Sequence, residues 1–198
     1  MQSGTQAQAV VADITMSVDG FVMGPGEQIG HLHDWVFAGD SAGGNPRVSA
    51  TGVDAEILTD SFESRGAVVM GRRTFDVTNG WDGDPPFLVP CFVITHRAHE
   101  PIVCENGTTF EFVVGGPAAA VARARAAAGS KDVSVMGGAT TISTLLDVGL
   151  VDEFHLHIAP RVVGGGIRLF ESMTREIALE EFRTEVSPWA THVFYSVI

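Results

Sequence analysis

Residues 67–75 read Ala-Val-Val-Met-Gly-Arg-Arg-Thr-Phe: four apolar residues run straight into a glycine, two arginines and a threonine. An apolar run without alternation suits a strand buried on both faces of a parallel sheet. Gly71 permits a tight exit, and the helix start beyond it offers N–H groups that can hold an anion. Alone, the stretch is equally a plain strand-to-helix turn with solvated arginines. Two more stretches repeat the pattern. Cys91–Thr95 (CFVIT) leads into His96-Arg97, and Asp132–Met136 (DVSVM) leads into Gly137-Gly138-Ala139-Thr140-Thr141. Ligands of parallel sheets gather beyond the carboxyl ends of the strands. Three polar or glycine-rich ends on one side of one sheet therefore point to a bound phosphate compound. The glycines lack the full G-x-G-x-x-G spacing, so an ordinary Rossmann site is not indicated.

Outward from these strands, short apolar runs alternate with helical patterns, the signature of βαβ units. Val10–Met16 reads as the first strand, followed by a turn at Ser17-Val18-Asp19-Gly20 and a brief strand at Phe21–Met23. His31–Phe37 is aromatic and apolar, and Ala38–Gly52 reads as a long loop rich in glycine and serine. Val53–Arg65 is a helix whose Val53, Ile57, Leu58 and Phe62 form one stripe. Phe110–Val114 is a further strand, Pro117 opens an alanine-rich helix to about Ala128, and Ala139–Val148 is another helix. Glu153–Ala159, Ile177–Val186 and His192–Ile198 are strand-like with no long helix between them, which predicts antiparallel strands along one edge. The expected fold is α/β: a mixed, mainly parallel sheet flanked by helices, with antiparallel C-terminal strands.

The chain of 198 residues is expected to form one domain over residues 9–198, after a frayed tail of residues 1–8. Its longest apolar run, around Phe87–Ile94, is broken by Pro90, far short of the ~18 residues of a membrane span. The opening residues show no basic flank and no apolar signal core, so a cytoplasmic protein is expected. A formal net charge of −12 argues against nucleic acid and anionic membranes as partners. Yet 11 of the 12 basic residues are arginine, whose forked guanidinium suits local phosphate binding. Cys91 and Cys104 form neither a disulfide framework nor a metal set.

These motifs, in this order, resemble the dihydrofolate-reductase superfamily, specifically the reductase domain of the bifunctional riboflavin-biosynthesis deaminase–reductase. The resemblance covers about Val10 to Ile198. It rests on Met16-Ser17-Val18-Asp19-Gly20, Met70-Gly71-Arg72-Arg73-Thr74-Phe75, Met136-Gly137-Gly138, Gly149-Leu150-Val151-Asp152-Glu153 with His157-Ile158-Ala159-Pro160, and Val163-Gly164-Gly165-Gly166 with Leu169-Phe170. It implies a dihydrofolate-reductase-like sheet with an NADPH site along its strand ends. Gly71, Arg72, Arg73 and Thr74 would hold cofactor phosphates. Thr95, His96 and Arg97 would lie beside the adenosine 2′-phosphate, and Gly137, Gly138, Ala139 and Thr140 beside the pyrophosphate. Ser17, Asp19 and Gly20 would border the nicotinamide and the substrate. A homodimer is also implied.

Reduction of a C=N or masked carbonyl needs a proton as well as a hydride. Folate-reducing relatives use a buried carboxylate on the helix before the Met70-Gly71 strand. Here Glu56, Asp60 and Glu63 share a polar helical face by spacing, whereas Asp54 borders the apolar stripe, which makes it the candidate acid. His155 and His157 alternate with Phe154, Leu156 and Ile158, so both face one side of a strand, where packing is the simpler role and no metal set is expected. Trp35 or Phe37 could stack on a flat substrate ring, or belong to a hydrophobic lid. The leading expectation is an NADPH-dependent reductase of a pyrimidine- or pterin-like metabolite, most like 5-amino-6-(5-phosphoribosylamino)uracil reductase. The alternatives are a dihydrofolate or pterin reductase and a non-catalytic nucleotide-binding protein.

Overall fold

The first strand, β1 (Val10–Ser17), carries different chemistry on its two faces. Val10 and Ala12 are fully buried and, with Ile14 and Met16, join the larger apolar core, whereas Asp13, Thr15 and Ser17 alternate onto the opposite face. The computed structural model describes residues 8–39 and 48–198, so the expected tail, except Gln8, and the middle of the expected Ala38–Gly52 loop lie outside the described residues.

The other elements follow in order. They are β2 (Phe21–Met23), α1 (Asp34–Phe37), α2 (Gly52–Ser64), β3 (Arg65–Gly71), α3 (Arg72–Val77), β4 (Cys91–Ile94), β5 (Ile102–Val103), β6 (Thr109–Val113), α4 (Gly116–Ala128), β7 (Asp132–Met136), α5 (Ala139–Asp147), β8 (Glu153–Ala159), β9 (Ile167–Arg168), β10 (Leu179–Val186) and β11 (Thr191–Val197). Among the described residues nine strands form one sheet in the order β10-β11-β8-β1-β7-β3-β4-β6-β5, and β2 pairs with β9 in a small second sheet. The six strands from β8 to β6 run parallel, while β11, β10 and β5 run antiparallel to their neighbours. Among the described residues no helix is long and apolar enough to cross a membrane.

Central strands are apolar because both faces are covered. Val68, Val69 and Met70 of β3 are fully buried, with Val69 in the core beneath α4 and α5 and the other two in a second cluster with Cys91, Val93 and Phe110. The alanine-rich α4 lays Ala120, Val121 and Ala124 on β3 and β4, small side chains that allow a close approach. On the opposite face α2 buries Ile57 and Leu58 against Trp35, Val36, Ala190 and Phe194. Each such aliphatic chain contributes roughly 1.5–3 kcal/mol. The edge strand β10 is exposed along most of its length, and a bulge between Glu181 and Arg183 plus its charged side chains blunts it against further pairing.

Candidate functional site

Strands β7, β3 and β4 are neighbours, so the three ends singled out in the sequence stand side by side. Gly71 is in register with Ile94, and its N–H donates to Gly137 O at 3.3 Å. A Cβ at Gly71 would lie 2.3 Å from Thr141 Oγ1, so only glycine lets β3 end this close to α5. Gly137 and Gly138 are joined by a cis peptide bond. A side chain on either would fill the space beside Thr74 Oγ1, which lies 3.8 and 3.6 Å from the respective Cβ positions. Helix α5 begins immediately after, with no side-chain cap and no acidic residue in its first turn. Its first N–H groups, from Ala139 and Thr140 onward, have no carbonyl partner inside the helix.

Two arginines open α3 directly after Gly71. The Arg72 guanidinium donates to Asp76 at 2.7 Å and lies over the rings of Phe75 and Phe112. Arg73 pairs with Glu27. Both pairs are substantially exposed and contribute little, about 0–1 kcal/mol, so an anion can compete for either arginine. At the β4 end Thr95 is buried and its hydroxyl accepts the Arg97 N–H at 3.1 Å, which fixes the turn that presents His96 and Arg97 to solvent. A glycine turn, an uncapped helix start and the arginines that open α3 are donors of the kind that suit a phosphate.

Beyond β1, Asp19 acts as a staple. Its carboxylate accepts from Ser17 Oγ at 2.7 Å, from the Val163 N–H at 3.0 Å and from the Gly164 N–H at 2.7 Å. The Ser17 hydroxyl and these amides hold its pKa down at about 2. Ser17 Oγ also accepts the Phe21 N–H, and the Leu169 N–H donates to Gly20 O. The Ser17–Gly20 turn is thereby tied to the 163–169 segment, and Asp19 faces backbone amides of this chain.

Beneath the strand ends, on the face covered by α2, lies a chain of buried polar groups. Asp54 is 2% exposed, and its Oδ1 accepts from His192 Nε2 at 2.8 Å. His192 Nδ1 lies 2.7 Å from His157 Nδ1, and His157 Nε2 lies 3.2 Å from Asp13 Oδ1. The register makes this possible: Thr15, His157 and His192 are direct cross-strand partners on β1, β8 and β11. Trp35 covers the two imidazoles at centroid distances of 4.4 and 5.1 Å and donates from Nε1 to Thr15 Oγ1 at 3.0 Å. Burial opposes ionisation of Asp13, but the adjoining His157 outweighs it and holds the carboxyl well below the usual range. Burial, then the neighbouring His157, depress His192; the same two causes push half-buried His33 down to about 4.

The structure thus places Asp54 in the polar chain together with Trp35, whose ring is engaged by His157 and His192, while Phe37 is exposed. Glu56, Asp60 and Glu63 are exposed, as their helical spacing predicts. His155 and His157 do face one side of β8, but His157 belongs to a hydrogen-bonded chain, which is more than packing. Asp13, Thr15 and His192 carried no spacing motif. Their only signal was polarity at alternate positions of otherwise apolar strands. Among the described residues no group of three His, Cys, Asp or Glu side chains is placed to hold a metal.

This sheet order, with its parallel centre and antiparallel C-terminal edge, is a dihydrofolate-reductase-like fold. Residues 8–188 match the family described as the RibD C-terminal domain, and the chain belongs to that family. A protein of Shewanella sp. PV-4 named for riboflavin biosynthesis superposes with a TM-score of 0.73 at 25% identity, over 96% of this chain and 99% of that one. The Thermotoga maritima diaminohydroxyphosphoribosylaminopyrimidine deaminase/5-amino-6-(5-phosphoribosylamino)uracil reductase gives a TM-score of 0.67 at 13% identity, over 98% of this chain and 57% of that longer one. Dihydrofolate reductase from Enterococcus faecalis, complexed with NADP(H), gives 0.58 at 15% identity, over 96% of each chain.

Proposed function

We propose that this chain is an NADPH-dependent reductase of a ribosylaminopyrimidine, acting like the reductase half of the Thermotoga maritima protein. The observation that carries the reading is the joined turn at Gly71, Gly137 and Gly138, where a strand end meets an uncapped helix start and α3 opens with two arginines. In this reading Gly137, Gly138, Ala139 and Thr140 receive the pyrophosphate, and Gly71, Arg72, Arg73 and Thr74 close around the neighbouring phosphates. Thr95, His96 and Arg97 take the 2′-phosphate. The bound nicotinamide supplies a hydride. The chain's own residues fix its position through backbone N–H groups and forked arginine contacts, which orient without taking part in the chemistry. The loop stapled by Asp19 shapes the adjoining rim.

The test is a thermal-shift titration with NADPH, NADH and FMN, since a ligand that binds only the folded state raises its melting point. Stabilisation by NADPH over NADH, lost in the Arg72→Ala/Arg97→Ala double variant, is the expected result. No shift with either nicotinamide overturns the proposal, and a shift with FMN alone replaces it with flavin chemistry. Binding of NADPH without oxidation in the presence of a ribosylaminopyrimidine would favour the non-catalytic alternative.

A further inference from the structure

The chain Asp54–His192–His157–Asp13 contains more hydrogen bonds than two neutral imidazoles can supply. Its three contacts, at 2.8, 2.7 and 3.2 Å, each need one proton. Two bare nitrogens, or two N–H groups, facing each other at 2.7 Å would repel, so the Nδ1 pair shares a single proton. The outer nitrogens, both Nε2, must then each carry one to bond a carboxylate. Three protons occupy four ring nitrogens. The pair is therefore one imidazole and one imidazolium between two carboxylates, a net charge of −1 that the buried Arg65 guanidinium near Asp13 offsets.

Burial and the repulsion between the two rings oppose the extra proton, and the carboxylates at the two ends of the chain work against them. On α2 the facing acid is Asp54, on β1 Asp13, and on β8 His155 with Glu153 bonded to it at 3.0 Å. Arg65 of β3 is buried beside Asp13, and its own charge is destabilised by that burial. His33, before α1, is half-buried with its Nδ1 enclosed and unpartnered, and Asp34 beside it pairs with His31 and Arg161. Trp35 seals the imidazoles from above. The Asp13 end differs: its side chain is 24% exposed and lines a polar pocket of about 50 Å³ with Ser61, Arg65, Ser134 and Glu153. That space suits a water or two.

We propose that Asp54, His192, His157 and Asp13 form a proton relay that stores one proton and reloads from solvent at Asp13. Its delivery role rests on the reductase reading. When bound, the dihydronicotinamide would supply the hydride for the new C–H bond; the heteroatom that receives the C=N or C=O π pair would draw its proton from the chain at Asp54, the end opposite Asp13. Each turnover consumes one hydride and one proton and leaves oxidised nicotinamide, after which the pocket at Asp13 resupplies the chain.

Storage and delivery are tested separately. In protein labelled with ¹⁵N-histidine near neutral pH, three N–H protons are expected over the ring nitrogens of His157 and His192; two would overturn the relay. For delivery, kcat and KM with NADPH and a ribosylaminopyrimidine are measured against pH for wild type, Asp13→Asn and Asp13→Glu. Asparagine keeps an acceptor for His157 but removes the charge that stabilises the extra proton. The expected result is a falling limb of kcat moved down by about one pH unit or more, with KM unchanged and partial restoration by glutamate. An unmoved limb in a folded Asp13→Asn protein overturns delivery. Absence of any reduction overturns the proposed function instead, and the N–H count then decides the relay by itself.

Discussion

Asp54→Ala should destabilise the fold by about 3–5 kcal/mol, the usual loss when one partner of a buried charged pair is removed. Asp54 is 2% exposed and His192 fully buried, so no water can replace the missing oxygen without opening the contact between α2 and the sheet. His192 Nε2 would lose its acceptor, and the imidazole pair would lose one of its two counter-charges. For a domain of this size each kcal/mol shifts the melting temperature by about 2–4 °C, giving a drop of about 6–20 °C. Asp54→Asn retains an acceptor oxygen and should lose less, about 1–3 kcal/mol. Equilibrium urea unfolding at neutral pH of Asp54→Ala, His192→Ala and the double variant completes a cycle. A coupling energy of at least about 1 kcal/mol is expected for groups in one network. A loss below about 1 kcal/mol for Asp54→Ala, or additive single losses, would refute the assignment of this contact as an energetically coupled pair.

Two further outcomes concern the Ser17–Gly20 turn and the 163–169 segment. The Asp19 carboxyl has its pKa lowered from 3.8 to about 2, so its contribution is complete above the upper value and is lost as pH falls through the lower one. Amide exchange at Val163 and Gly164 should accelerate over that window in wild type and be fast at all pH values in Asp19→Ala; pH-independent protection would contradict the staple. Gly166 has φ +119° and a Cβ there would stand 2.0 Å from Met23 O, whereas Gly164, at φ +77°, has open space. Gly166→Ala should therefore lower the melting temperature clearly more than Gly164→Ala, whose penalty is the backbone strain of about 1 kcal/mol; equal shifts would show that β2 and β9 yield without resistance.

The central strands were legible by two signals: β3 shows the unbroken apolar run Ala67–Met70 because both its faces are covered, while Asp132–Met136 and Glu153–Ala159, which have the predicted bounds, alternate apolar with polar residues. The two-residue strands β5 and β9 were not, since Ile102-Val103 and Ile167-Arg168 are too short to show a period. In β10 the strand begins at Leu179 and not at Ile177, because at an exposed edge apolar character no longer marks pairing. Within the site, the burial of Asp54 could be read from its place beside Ile57 and Leu58 on the helical wheel. Its partner could not. A helix reports only neighbours three or four residues away, and nothing local in Thr191–Val197 says that His192 meets an acid from α2. The cross-strand register supplies that information.

That same long-range register sets an order of events during synthesis. Asp54 and His192 are separated by 138 residues, and Asp13 and His157 by 144. At a translation rate of about 5–20 residues per second, each carboxylate waits roughly 7–29 s before its imidazole is made. During that interval α2 has no counter-charge to dock against, so its acid must remain hydrated. The sheet face under α4 and α5 can begin to close while the α2 face stays wet, and the arrival of His192 turns a solvated helix into a sealed one.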